Sequence, residues 1–390
     1  MIPEFDIQLY KTPEDFLKYI FCDCKYDFKN EQVEFIKLVL TSTEFIYNEI
    51  YPTNTKEDFV KELKKLLYKY HIRVNYNMKE KRIIMSYNNV IKGFLILNLL
   101  NGIVFDFNYN VLCVPSVKLL SYNNSVSNPE ETKFLIEDGV LINFYFHNEK
   151  WNIGNSKSDN LTKIGNFDIR DLIDESLFNF KEIYLNEFLD KLDKNFTHVF
   201  IFKNPKIHWY GDNYKFVYIH STSKTGEVIN CDYDIPGMEE LNNIENFDDN
   251  KHFGFISVTP KGRYLYISDL YKKLKKALYG NKGIEENMNY RKFIFVHNIL
   301  RRNEDIKFIV GNNNEYDFYN EKIQEQIKKA VNIINTEVDI SNVNNVIIGE
   351  MIKNKYIFTT NKGDIEYVKK FVNEFVYRSA NFLWVYKMIE

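Results

Sequence analysis

The sequence has little of the residues that mark several classes of protein. Among 390 residues only four are cysteine and eight are proline. The cysteines, Cys22, Cys24, Cys113 and Cys231, are too few and too scattered for a disulfide framework, which favours a reducing, cytoplasmic environment. No run approaches about 18 uninterrupted apolar residues, so no membrane span is expected. The first residues also lack the basic region and the apolar run of a signal peptide.

An excess of one charge sign is missing as well. The 51 basic and 54 acidic side chains give a net charge of −3. This balance excludes a protein held to nucleic acid by its overall charge, although a local basic surface is compatible with it. Asparagine is abundant and lysine far outnumbers arginine, which is typical of an AT-rich genome. The alternative, a prion-like polar tract, is disfavoured because the asparagines are dispersed among periodic apolar positions.

The hydrophobic period changes twice along the chain. The first 70 residues have a helical period, and from His71 apolar and polar residues alternate in short runs. One helix is predicted to interrupt the strands at residues 180–192. The helical period then returns, with helices predicted at residues 269–279, 320–337 and 365–389.

These patterns predict an α+β protein in three parts, built on antiparallel sheet instead of alternating βαβ units. Residues 1–70 form an N-terminal helical extension, and residues 281–390 form a helical C-terminal domain. Residues 71–280 form the central domain, which contains the antiparallel strands.

Four segments of the central domain, in order, carry a recognisable combination of motifs. A glycine-led strand and a strand that ends in proline are followed by an aromatic turn, then an Asp-Gly pair leads into a hairpin. A strand that ends in Asn-Pro comes next, and a Gly-led strand, a turn and a Tyr-led helix close the series. The segments are LLNGIVFDFNYNVLCVPSVKLLSYNN (99–124), FLIEDGVLINFYF with NEKWNIGNSKS (134–158), NFTHVFIFKNPKIHWY (195–210) and FGFISVTPKGRYLYISDLYKKL (253–274).

Together these segments resemble the phage-type RNA ligase branch of the covalent nucleotidyltransferase superfamily, which also includes DNA ligases and mRNA capping enzymes. The resemblance covers roughly residues 70 to 280, and it implies an antiparallel nucleotidyltransferase-like domain. Enzymes of this kind attack the α-phosphate of ATP with a lysine amine and form a covalent lysyl-nucleotide intermediate. The alternative is an unrelated α+β protein in which isoleucine and phenylalanine simply occupy strands.

The residues that such chemistry requires are absent from the matching positions. The attachment lysine of the family's Lys-x-Asp-Gly motif falls on Ile136, and the arginine ahead of the first segment's glycine falls on Asn101. Lys133 does not replace the attachment lysine, because it lies three residues earlier and on a strand points to the opposite face.

The remaining catalytic positions are apolar too. The carboxylates of the third and fourth segments fall on Ile201 and Phe253, and the two lysines that neutralise the triphosphate fall on Leu265 and Ile267. The motif residues that are retained serve turn geometry and close packing. They are Gly102, Asp138, Gly139, Pro205 and Gly254. The vacated polar pocket is therefore expected to be filled with apolar side chains as part of the core.

Two other groups of residues are considered as sites. Cys22 and Cys24 have no second pair of ligands at metal spacing, so no metal site is predicted there. His198, His208 and His220 could meet on neighbouring strands, but surface positions or satisfied core positions explain them more simply.

The basic helix YKKLKKALYGNK (271–282) is the densest positive segment of the chain. Its lysines and tyrosines are candidates to contact phosphates and to stack on bases, whereas the alternative is a solvated helix face. These candidate nucleic-acid-binding residues are Tyr271, Lys272, Lys273, Lys275, Lys276 and Tyr279.

The sequence therefore predicts a catalytically inactive RNA-ligase-like protein, or pseudoenzyme. It would act as a scaffold or as a nucleic-acid-associated component of a virus or another AT-rich genetic element, in the host cytoplasm or the virion. Its partner would be a protein or RNA, and no cofactor and no metal are expected. The alternative is a divergent ligase or nucleotidyltransferase that uses non-standard residues together with ATP and Mg²⁺.

Overall fold

The computed structural model describes thirteen stretches of the chain. They are residues 5–23, 31–87, 100–115, 120–122, 131–136, 138–207, 213–241, 246–248, 252–259, 262–269, 271–272, 314–336 and 365–375. The chain forms two compact units: Met1–Asn204 with Asn213–Ser268, and Pro205–Asp212 with Asp269–Glu390. Each unit is described by itself.

Three helices open the first unit, and α1 and α3 begin where the sequence supplies a threonine cap. They are α1 (Pro13–Lys18), α2 (Gln32–Ile50) and α3 (Lys56–Tyr68). Thr12 caps α1 ahead of a first-turn proline, and Thr55 forms a reciprocal capping box with Asp58 at the start of α3. A 3₁₀ turn at Ile7–Leu9 and a π-helical turn at Tyr19–Asp23 flank α1.

Four antiparallel strands, named sheet A, share one hydrophobic core with these helices. The strands are β1 (Ile72–Asn77), β2 (Arg82–Tyr87), β3 (Asn101–Asp106) and β4 (Val111–Cys113), in the order β1-β2-β3-β4. Phe16, Phe59 and Phe105 are fully buried in this core. The apolar faces of the N-terminal helices are thus covered by sheet A.

Two further sheets complete the first unit. Their strands, in chain order, are β5 (Leu120–Ser121), β6 (Thr132–Ile136), β7 (Val140–His147), β8 (Lys150–Gly154), β9 (Lys163–Ile164), β10 (Phe167–Asp168), β11 (Thr197–Lys203), β12 (Lys215–Thr222), β13 (Val228–Ile229), β14 (Gly254–Thr259) and β15 (Gly262–Ile267). Sheet B has the order β13-β12-β11-β7-β8, and sheet C has the order β5-β15-β14-β6. A short β9–β10 hairpin stands apart from them.

One face of sheet B is covered by two helices, α4 (Ile169–Lys181) and α5 (Leu185–Leu189). The ring of Phe188 packs against the rings of Phe144, Phe200 and Phe216, with centroids 5.3 to 6.3 Å apart. Aromatic pairs at this distance add to the stability that burial gives. The opposite face of sheet B is left for sheets A and C.

In the second unit, the described elements are α6 (Asn314–Thr336) and α7 (Ile365–Phe375). They pack through one apolar stripe from each helix, and the buried side chains are Ile327, Ala330, Ile334, Val368 and Phe371. The spacing of three and four residues within α6 is that of a helix face that packs against a neighbour.

The antiparallel α+β class predicted from the sequence is confirmed. The helix predicted at residues 180–192 is wrong in its position. The helical segment begins at Ile169, after the N-cap Asp168, and stops at Glu182, which adopts the left-handed conformation with φ 58°. A separate short helix then follows. A left-handed residue at this position bonds its backbone N–H to a free carbonyl oxygen of the last turn, and it prevents the helix from continuing.

The helix predicted at 320–337 is confirmed as α6, and the one at 365–389 is confirmed over Ile365–Phe375. The rest of that segment lies outside the described residues. None of the described helices is long and apolar enough to cross a lipid bilayer.

The close contact between β14 and β15 at Gly254 yields a prediction. A Cβ atom at this position would lie 2.1 Å from the carbonyl oxygen of Tyr266, a backbone atom that cannot move aside. We expect Gly254→Ala to lower the free energy of unfolding by about 3 kcal/mol, because overpacking displaces the strand. Chemical denaturation measures this change.

Gly237→Ala is the matched control, since the nearest heavy atom to its added Cβ would be 4.0 Å away. An equal loss of stability in both variants, or no loss in Gly254→Ala, would contradict the strand packing described here.

Candidate functional site

Three of the positions that matter to the resemblance lie side by side in sheet C. Ile136 is opposite Gly254, and Gly254 is opposite Ile267. Leu265 is opposite Ile256, two residues further along β14. Because residues directly opposite each other in an antiparallel pair project to the same face, Ile136, Leu265 and Ile267 share one face of sheet C.

A matching face exists on sheet B. Ile201 is opposite Val217 on one side and Leu141 on the other. Two residues earlier on the same strand, Val199 is opposite His220 and Asn143. Ile201, His220 and Asn143 therefore share the face of sheet B that α4 and α5 do not cover.

These two faces meet across what we name the cleft. Arg263, which shares the face of Leu265, places its Nη1 atom 3.4 Å from Nδ1 of His220. The cleft is defined by Ile136, Arg263, Leu265 and Ile267 of sheet C and by Asn143, Ile201 and His220 of sheet B. Its two ends differ: Arg263 and His220 mark a polar end, and Ile136, Ile267 and Ile201 mark an apolar end.

The short connection from β6 to β7 carries the chain from sheet C to sheet B. A Cβ atom on Gly139 would lie 2.5 Å from Cγ2 of Ile201 and 2.6 Å from the carbonyl oxygen of Phe202. The Asp-Gly pair is thus explained by packing, because only glycine permits this approach. Asp138 itself is buried.

The other motif residues are placed as follows. Gly102, with φ 102°, packs closely against the loop after β8, because a Cβ atom added there would lie 2.6 Å from the carbonyl oxygen of Asn155 and 2.7 Å from Cα of Ser156. Asn101 opens β3 beside it. Phe253 directly precedes β14, and Pro205 follows β11 in a turn.

The expectation that the vacated positions join the core is correct only for Ile136, which is buried. Ile201, Phe253, Leu265 and Ile267 are half-buried. The reason is the layer arrangement: the aromatic core of sheet B lies on its other face, around Phe188, and these four residues lie outside it. The apolar end of the cleft is therefore a partly accessible surface.

Apolar side chains at these positions limit what this end of the cleft can do. Isoleucine, leucine and phenylalanine can neither attack a phosphate nor accept a proton nor hold a divalent cation. The cleft face of sheet B does carry Lys203, two residues beyond Ile201, whose Nζ atom donates to Oδ1 of Asn213 at 2.8 Å.

Lys133 lies on the face of sheet C away from the cleft, as predicted. It is opposite Ser257, whereas Ile136 is opposite Gly254, three positions along β14. Its Nζ atom lies 3.1 Å from Oε2 of Glu131. The salt bridge and the orientation both remove this amine from the cleft.

Sequence reasoning considered His220 but missed Arg263 and its pairing with this histidine at the polar end of the cleft. Burial and, as the smaller cause, the neighbouring Arg263 guanidinium lower the pKa of His220 to about 3. Burial also lowers the pKa of Arg263. The alternation along β15 places Arg263 on the face of Leu265 and Ile267, so this part of the site carried a signal in the sequence.

His198 and His220 lie on neighbouring strands but on opposite faces of sheet B. His198 is buried, with Nδ1 2.7 Å from Oγ of Ser221 and Nε2 2.8 Å from the carbonyl oxygen of Asp193. It is a histidine with satisfied hydrogen bonds, and His208 lies outside the described residues. Among the residues that the structure describes, no group of three or more His, Cys, Asp or Glu side chains could hold a metal ion.

The basic helix is described only at its start. Lys272 is exposed and its Nζ atom lies 2.8 Å from Oδ1 of Asp269, while Tyr271 is half-buried. The other candidates, Lys273, Lys275, Lys276 and Tyr279, lie outside the described residues.

Comparisons with known proteins add little to this site. No family model matches the chain, and no curated protein matches it. A search of solved structures returns a putative ATP-dependent DNA ligase from Aquifex aeolicus, with 12% sequence identity over 70% of this chain and 80% of that chain, and a TM-score of 0.38. A likeness at this level carries no argument about activity, so the interpretation of the cleft depends on the chain's own residues.

The neutral state of His220 predicts how stability changes with pH. In the unfolded chain this histidine takes up a proton near its ordinary pKa of 6.5, whereas in the folded protein it stays neutral down to about pH 3. The unfolded state therefore binds more protons in this interval, and the free energy of unfolding falls as the pH is lowered from 6.5. We expect His220→Gln to reduce that fall by about 1 kcal/mol per pH unit between pH 6 and 5.

Denaturant titrations at several pH values measure this slope. His71→Asn is the control, because His71 is exposed and asparagine tolerates its positive φ of 60°. Identical slopes for the wild type and His220→Gln would show that His220 is not held neutral in the cleft.

Proposed function

We propose that this protein is a catalytically inactive member of the RNA-ligase-like branch of the nucleotidyltransferases, a pseudoenzyme. In this proposal it acts as a scaffold or as a nucleic-acid-associated component of a virus or another AT-rich genetic element. It uses no cofactor in that role. The order of the four segments, and the meeting of residues from three of them in one cleft, support the proposal together.

The observation that carries the proposal is the composition of the cleft at the positions where nucleotidyl transfer needs charge. Ile136, Leu265 and Ile267 share one face, and Ile201 lies on the facing sheet. Transfer of a nucleotide requires a lysine nucleophile and cationic groups that stabilise the charge on the phosphates. The retained glycines keep the backbone geometry, whereas these side chains supply none of that chemistry.

A role with nucleic acid is supported by the basic segment at residues 271–282, which the sequence predicts to be largely helical. Lysines interleaved with tyrosines can contact phosphates and stack on bases, and single-strand binding of this kind weakens steeply with salt. A protein partner is the other class that fits a scaffold.

The second candidate function is a divergent ATP-dependent RNA ligase or nucleotidyltransferase that requires Mg²⁺. Lys203 favours it, because this lysine shares the cleft face of Ile201 and directly follows Phe202, whose carbonyl group approaches Gly139. A nucleophile relocated by two residues along β11 would still reach into the cleft.

Covalent labelling separates the two candidates. The full chain is incubated with ATP or GTP labelled at the α-phosphate and with Mg²⁺, and then run on a denaturing gel. The pseudoenzyme proposal predicts no labelled protein. A labelled wild-type band that disappears in Lys203→Ala would overturn the pseudoenzyme proposal and support the divergent ligase or nucleotidyltransferase instead.

Restoring the attachment lysine alone should not restore labelling. In Ile136→Lys the positions at Ile201, Leu265 and Ile267 stay apolar, so the phosphates still lack their partners. The new ammonium is buried without a counter-charge, and we expect a loss of about 3 kcal/mol in the free energy of unfolding.

Ile50→Lys is the control for this variant, because Ile50 is 39% exposed at the end of α2 and should accept lysine with little change in stability. Covalent labelling of Ile136→Lys would contradict the view that the rest of the cleft has lost its chemistry.

A further inference from the structure

Arg263 lies at the polar end of the cleft, beside His220. It lies on β15 opposite Val258, and its side chain is half-buried. Its recorded hydrogen bond joins Nη1 to Nδ1 of His220 at 3.4 Å. Among the described residues, no carboxylate forms an ion pair with this guanidinium.

Such a cation is costly in the folded protein. Burial is the cause that lowers the pKa of Arg263, and no neighbouring charge offsets it among the described residues. A buried cation is ordinarily matched by a carboxylate or by another anion. Arg82 shows the usual solution in this chain: it is buried, and its guanidinium lies 3.2 Å from Glu80 and 3.6 Å from Asp159.

His220 does not compensate the charge, because it is neutral above about pH 3. Since its Nδ1 atom faces the guanidinium, that nitrogen accepts and the ring proton resides on Nε2. The pair therefore presents donors alone: the remaining N–H groups of Arg263 and the Nε2–H group of His220.

A third polar group lies in the same row of sheet B. Asn143 is buried opposite Val199, which is itself opposite His220, and its Oδ1 atom has no hydrogen-bond partner. Buried amides are normally satisfied, so an unpaired one needs a reason. Rotating the amide by 180° would place an NH₂ donor where the oxygen now stands.

We propose that Arg263, together with His220, binds a phosphate group at the polar end of the cleft. The planar fork of the guanidinium matches two oxygens of a phosphate, and the anion supplies the counter-charge that no described residue provides. Arg263 is not one of the positions that matched the ligase motifs. The site does not depend on the loss of catalysis, so labelling of the wild type would overturn the proposed function and leave this site standing.

Two sources of phosphate fit this chemistry: a free nucleotide and the backbone of a single-stranded nucleic acid. Binding is measured for ATP and, separately, for an oligouridylate of about ten nucleotides, by calorimetry at low salt with the full chain. Binding of both probes, or of either alone, supports the site and identifies its source.

The variants distinguish a binding role from a structural one. Arg263→Gln should weaken binding by about tenfold or more, the effect of losing a charge-assisted pair of hydrogen bonds. Its melting temperature should equal or exceed that of the wild type, because an uncompensated buried charge is removed. Arg263→Lys keeps the charge and loses the fork, so its affinity should lie between the two.

Arg73→Gln is the matched control, since it removes an exposed arginine from β1 with the same change in net charge. It should bind like the wild type. No binding of either probe at millimolar concentration would overturn the assignment. An unchanged affinity in both Arg263 variants would also overturn it. A loss of affinity in Arg73→Gln equal to that in Arg263→Gln would do the same. A fall in the melting temperature of Arg263→Gln with affinity retained in Arg263→Lys would assign Arg263 to structure and also overturn it.

Discussion

The connection between β6 and β7 constrains the whole site, because consecutive strands that it joins belong to different sheets. Gly139 must approach the Ile201 side chain and the Phe202 backbone more closely than any Cβ atom allows. This short connection therefore holds the end of β6, in sheet C, close to the start of β7, in sheet B. As a result, Ile136, which ends β6, and Ile201, which Gly139 approaches, both line the same cleft.

The two ends of that cleft show how charge and burial are balanced in this chain. At the apolar end, half-buried isoleucine and leucine require no partners. At the polar end, a guanidinium and a neutral imidazole face each other without a carboxylate among the described residues. An apolar surface remains stable without a ligand, whereas an uncompensated cation is best explained by an anion that binds to it. The cleft between sheets B and C therefore combines an apolar end that needs no ligand with a polar end suited to binding an anion.

Much of this fold could be predicted from the sequence, because period-two alternation gives strands and their faces directly. It predicts that Lys133 and Ile136 project to opposite faces of their strand, as the structure has them, whereas the pairing that brings Ile136 to the face of Leu265 and Ile267 depends on strand register. The break between α4 and α5 could not be foreseen, since it depends on the left-handed conformation of Glu182. Local sequence contains no strong signal for a left-handed glutamate.

The position of His220 shows a second limit of the sequence. Simple alternation from Val217 would put His220 on the face of His198. A bulge between the partners of Val199 and Phe200 inserts Ile219 into β12 and turns His220 to the cleft. One extra residue exchanges the faces of a strand, and a bulge depends on tertiary packing that the sequence does not display.

The division of the cleft is tested most directly by methyl NMR of the isoleucine- and valine-labelled protein during a titration with ATP. The account predicts shifts at Val199 and Val258, which lie opposite His220 and Arg263, and unchanged methyl signals at Ile136 and Ile267. Shifts that concentrate at Ile136, Ile201 and Ile267, with Val199 and Val258 unchanged, would place the ligand at the apolar end and contradict the account.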